Sequence, residues 1–107
     1  MADPRPAARL TVFLSEDDEV EGRGAAHAVV EEARAVGLGP VSVRRAVEGF
    51  GSSGHLRTNR FADSMAGLPV LVEVVGGEEG LRALSRRLAD LLPGVLVTLE
   101  GVEPEPA

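Results

Sequence analysis

Residues Leu68–Glu100 read LPVLVEVVGGEEGLRALSRRLADLLPGVLVTLE, and this stretch decides the fold. Leu68, Val70, Val72 and Val74 recur at every second position, the period of a strand with one face buried. Pro69 stands near its start, where a missing N–H is tolerated, and Gly76-Gly77 ends it. Leu81, Leu84, Leu88, Leu91 and Leu92 then recur at helical spacing. Glu78 with Arg82 and Arg86 with Asp90 are spaced i,i+4, which supports a helix, and Pro93-Gly94 stops it. Val95–Glu100 supplies a closing strand, so the stretch is one β-α-β unit.

The same order precedes it. Leu10, Val12 and Leu14 alternate with Arg9, Thr11, Phe13 and Ser15, predicting a strand. Glu16, Asp17, Asp18, Glu19 and Glu21 form a charged connection. Ala26, Val29, Val30, Ala33 and Val36 predict a helix that ends at Gly37, a natural left-handed stop. Val41, Val43 and Val47 predict a second strand ending at Gly49, with Arg44 and Arg45 near its middle. Two β-α-β halves in tandem predict an α+β, ferredoxin-like βαββαβ sandwich: a four-stranded antiparallel sheet with both helices on one face. Residues 9–102 form this domain, with disordered tails expected at 1–8 and 103–107.

With helices on one face only, the other sheet face is left open. If Leu10, Val12, Val43, Val72 and Val97 meet the helices, the open face carries Phe13, Arg44, Ala46, Leu71, Glu73, Val75, Leu96 and Thr98. Its apolar members would form one contiguous patch, which predicts burial between identical subunits.

Composition narrows the function. The formal charge of -6 opposes phosphate-backbone binding, so no nucleic-acid partner is expected. No apolar run reaches the roughly 20 residues that a spanning helix needs, so no direct membrane insertion is expected. The chain has no Cys, which removes disulfides and thiolate metal sites, and with only two His no metal centre is expected. The expected location is cytoplasmic. No cofactor and no catalytic residue is expected. Ser52 or Ser53, His55 and Asp63 could be drawn as a triad, but all fall in one loop with no strand or helix to hold their geometry.

That loop is the functional pointer. From Gly49 to Gly67 no period is sustained, and a connection of about 18 residues in so small a domain is usually a binding loop or disordered. It opens Gly49-Phe50-Gly51-Ser52-Ser53-Gly54, formally a glycine-rich dinucleotide pattern, but it follows the second strand and opens no apolar helix. Arg44, Arg45, Arg57 and Arg60 with His55 make residues 41–62 basic in an acidic chain. Arginine's planar fork suits phosphate or carboxylate, and glycines permit close backbone approach. The candidate ligand-binding residues are therefore Arg44, Arg45, Gly49, Phe50, Gly51, His55, Arg57 and Arg60, and the candidate guest is a small anionic metabolite or nucleotide. The competing expectation is that these arginines solubilise the loop or pair with acidic side chains of another subunit.

Five segments carry a family resemblance: Leu10–Asp17 (LTVFLSED), Val29–Leu38 (VVEEARAVGL), Val43–Gly51 (VRRAVEGFG), Leu68–Val75 (LPVLVEVV) and Val95–Glu100 (VLVTLE). With these the chain resembles the domain-of-unknown-function family 190, small PII-like proteins of bacteria and archaea; the Gly-Phe-Gly after strand two and the later Leu-Pro-Val decide it. The resemblance implies a ferredoxin-like fold in a homo-oligomer, usually a trimer, with the loop after strand two corresponding to the T-loop of PII signalling proteins. In that superfamily small effectors such as adenine nucleotides bind between subunits, and the T-loop changes shape to control a partner. The alternative expectation is a ligand-free interaction module whose loop docks a membrane transporter, channel or enzyme directly.

Overall fold

The structure, a computed structural model, describes residues 7–49, 57–58 and 67–105. Strand β1 (Ala7–Ser15) is followed by a short ribbon, β2 (Glu19–Val20) and β3 (Arg23–Gly24), and by helix α1 (Ala25–Ala35). Next come β4 (Val41–Arg45), β5 (Glu48–Gly49) and β6 (Arg57–Thr58). Strand β7 (Pro69–Gly77), helix α2 (Glu78–Leu91) and β8 (Leu96–Val102) complete the order. The main sheet has the order β4-β7-β1-β8 with every pair antiparallel. The ferredoxin-like arrangement is therefore as expected.

Alternation puts Leu10, Val12, Val72 and Val74 on the helix side, and all four are completely buried. They pack with Ala28, Val29 and Ala33 of α1 and Leu81, Leu84 and Leu88 of α2. Burying each large aliphatic side chain contributes on the order of 1.5–3 kcal/mol. α1 buries mostly alanines in this layer, whereas α2 contributes leucines. Leu38 completes the layer from the loop after α1. Its Cδ2 would lie 3.1 Å from a Cβ added at either Gly76 or Gly80, so both positions suit a residue without a side chain.

Several details differ from expectation. β1 begins at Ala7, and Ala8 is buried at 2% exposure, so the sheet starts inside the segment expected as a tail. The second strand leaves the sheet at Arg45 rather than running to Gly49. Its last bond is Ala46 N–H to the Pro69 carbonyl, while the neighbouring Leu68 carbonyl points to the other side, toward the end of β1, and accepts from Glu16 N–H. Ala46, expected on the open face, lies beyond the last sheet residue of β4. Val43, expected under the helices, remains 47% exposed on the edge strand.

The acidic connection after β1 is also more structured than its charge suggests. Glu19 pairs with Gly24 and Val20 with Arg23, joined by Glu21 and Gly22, both at positive φ (51° and 79°). Two left-handed residues make the tight turn that suits the strand twist of a hairpin. The ribbon turns Val20 inward, where it is 5% exposed.

Candidate functional site

Because neighbouring strand residues point to opposite faces, Arg44 and Arg45 diverge. Arg44 stands on the open face opposite Leu71 and forms an ion pair with Glu73. Arg9 Nε lies 3.8 Å from the same Glu73 carboxylate, and Arg9 Nη2 donates to Glu100 Oε1 at 2.5 Å. A charged row thus crosses the whole sheet: Arg44, Glu73, Arg9, Glu100. The hydrogen bond and charge of Glu100 raise the Arg9 pKa above its already high ordinary value, so the row keeps its cation.

Arg45 lies on the other face, at the end of β4, with Nε 3.5 Å from Glu16 Oε1. Glu16 is held by its own N–H bond to the Leu68 carbonyl at 2.9 Å. Behind it, Ser15 N–H donates to Asp18 Oδ2, Asp17 N–H donates to Ser15 Oγ, and Ser15 Oγ donates to the Gly67 carbonyl. The acidic connection therefore braces both stems of the long connection: β4 through Arg45, and residues 67–68 through the main chain.

Gly49 marks the exit from the sheet. Its φ of 157° is unfavourable for other residues, and an added Cβ would sit 3.3 Å from Pro69 Cγ. From there Glu48 pairs with Thr58 and Gly49 with Arg57, so a two-stranded ribbon carries the connection away from the main sheet. Arg57 is placed as the partner of Gly49. Phe50, Gly51, His55 and Arg60 lie outside the described residues. Of the eight sequence candidates, Arg45, Gly49 and Arg57 fall at the base of the connection, while Arg44 belongs to the open face.

The open face bears an apolar group beside the charged row. Phe13 lies between Leu71 on β7 and Leu96 on β8, and Phe13 and Leu96 are 39% and 59% exposed. Thr11, between Glu73 and Thr98, is 7% exposed, already covered by its neighbours. Glu73 and Glu16 are the residues sequence reasoning passed over. The available signal for Glu73 was a lone acid inside the apolar run VLVEVV, which requires a cationic partner on the same face. On the outer flank of α1, His27 Nε2 lies 2.5 Å from Glu31, which also binds Arg23 at 2.9 Å. Among the described residues no group of three His, Cys, Asp or Glu side chains is placed to hold a metal.

The four-stranded antiparallel sheet with its two-helix layer defines a ferredoxin-like fold, shared with solved structures of PII-like proteins. The chain belongs to the DUF190 family, described as "Uncharacterized ACR, COG1993", whose model matches residues 7–104. It is 33% identical over 94 residues to a UPF0166 protein of Aquifex aeolicus (strain VF5), covering 88% of this chain and 89% of that one. A PII-like signaling protein from Thermus thermophilus superimposes with a TM-score of 0.67 at 22% identity, over 92% of this chain and 88% of its own. CPII from Thiomonas intermedia K12, bound to ADP and bicarbonate, superimposes with a TM-score of 0.65 at 14% identity, over 91% and 86%. CPII bound to ADP, AMP and bicarbonate gives 0.66 at 12% identity over the same shares. At these identities the structural likeness establishes the fold.

Proposed function

We propose that this chain is a cytoplasmic, non-enzymatic regulator of the PII-like kind. It assembles as a homo-oligomer, a trimer, and binds a small anionic metabolite or nucleotide at clefts between subunits near the connection after β5. Binding there changes the connection and so controls a partner protein, a transporter, channel or enzyme. The observation that carries this reading is the β5–β6 ribbon, which takes the chain's basic segment out of the sheet with Arg45 at its root. The PII-like structural neighbours bound to ADP and bicarbonate support the choice of guest. The exposed Phe13 and Leu96 support assembly through the open sheet face. Among the described residues no helix is long and apolar enough to cross a membrane.

A ligand that binds only the folded protein stabilises it by RT ln(1 + [L]/Kd), about 2.7 kcal/mol at a hundredfold excess over Kd. Millimolar ADP, AMP or bicarbonate is expected to raise the unfolding temperature of the wild-type chain, and Arg57→Gln to reduce the rise. No shift with any of them defeats the effector reading.

One observation favours a second reading, a ligand-free interaction module that docks its partner directly through the connection. Arg44 and Arg45 each already meet a carboxylate of the same chain, Glu73 and Glu16, so an anion would have to compete for them. Titration calorimetry separates the two, because a sensor releases or absorbs heat with a small molecule when no partner is present.

A further inference from the structure

A second feature lies at the opposite end of β4 from the long connection. The last turns of α1, the loop after it and the first residue of β4 enclose an open hollow of about 470 Å³, lined by Val30, Arg34, Gly37, Leu38, Gly39, Pro40 and Val41. The walls are mostly apolar: Val30 and Val41 are half-buried, and Val43, two residues along on the same face of β4, is 47% exposed and continues the apolar surface. Gly37 and Gly39, at φ 75° and 156°, turn the chain around the hollow, while Leu38 reaches toward Gly76 and Gly80.

Arg34 gives this surface a charge. Arg9, Arg23, Arg44, Arg45, Arg82 and Arg87 each meet a carboxylate. Arg34 meets none among the described residues, although the chain has 17 acids against 11 bases. An unpaired guanidinium beside an apolar concavity complements a molecule with an apolar body and one anionic head, since its planar donor fork fits carboxylate or phosphate.

We propose that the hollow formed by Val30, Arg34 and residues 37–41 is a binding site for a small organic anion with an apolar body, its head on Arg34 and its body against Val30, Leu38, Pro40 and Val41. This site is independent of the effector reading above, which concerns the far end of β4.

The test is a titration of the full chain with octanoate, followed by backbone amide shifts, with octanamide as the neutral counterpart. Octanoate is expected to shift the amides of Val30, Gly37, Leu38, Gly39 and Val41 and to leave Ala46–Gly49 unmoved. Arg34→Gln should weaken octanoate about tenfold or more, as expected for loss of a charge-assisted contact, and leave octanamide unchanged. Arg86→Gln, which removes another arginine without a carboxylate partner among the described residues, should bind like wild type. Arg34 also stands in the last turn of α1, where a cation favours the helix dipole. If that is its whole role, Arg34→Gln lowers the unfolding temperature slightly without altering octanoate affinity, and the proposal fails. It fails equally if octanamide binds as tightly as octanoate, if the shifts centre elsewhere, or if none appear.

Discussion

At the scale of single residues, the sheet depends on one carboxylate. Glu73 sits between Arg44 and Arg9 with its side chain only 14% exposed, so its loss leaves two partly exposed guanidinium groups facing a covered position that has lost its charge. Glu73→Gln is expected to lower unfolding free energy by about 1–3 kcal/mol, the range for a charge-assisted hydrogen bond lost where water cannot fully replace it. Urea denaturation measures it. Glu100→Gln, at the exposed end of the same row, should leave the urea midpoint unchanged, because exposed pairs contribute little. An equal effect of the two substitutions would show that the row does not depend on its covered centre.

At the scale of elements, the β2–β3 ribbon departs most from what its sequence suggests. Its turn forces Glu21 to φ 51°, a left-handed conformation that asparagine tolerates better than glutamate. Glu21→Asn creates Asn-Gly at that turn and is expected to stabilise the fold by about 0.5–1 kcal/mol. Thermal unfolding of the variant would show a raised midpoint; a lowered one would mean that the turn is not of this type. The acidic run around it reads by composition as a solvated connection, yet Val20 is buried and Glu16 reaches both Arg45 and Leu68. Such roles depend on partners about 30 and 50 positions away, which no local pattern reveals.

At the scale of the molecule, the helices cover one sheet face and leave Phe13, Leu71 and Leu96 side by side on the other. Assembly through this face is expected to give a mass by light scattering of a multiple of 11.2 kDa at micromolar concentration. The double substitution Phe13→Asp with Leu96→Asp should return the monomer mass, since burying unpaired carboxylates between subunits is strongly unfavourable. Both side chains are partly exposed in the single chain, so the variant is expected to retain its fold by circular dichroism. A wild-type monomer, or an assembly unaffected by the double change, would remove the open face as the interface.

The alternation of Leu10, Val12 and Leu14, the helical spacing of Leu81, Leu84 and Leu88, and the glycines and prolines between them determined the βαββαβ order without any coordinates. Period two and period 3.6 record which side of an element is dry, and that information is local. The candidate site was legible only as a composition: a basic segment after the second strand. Tertiary structure decided how its arginines are used. It sent Arg44 to the open face and Arg45 to the acidic connection, because adjacent strand residues face opposite ways and each met a carboxylate supplied by a distant element. It also left Arg34 without a carboxylate partner among the described residues, beside an apolar hollow, a juxtaposition that exists only once the end of α1 has folded against the edge strand.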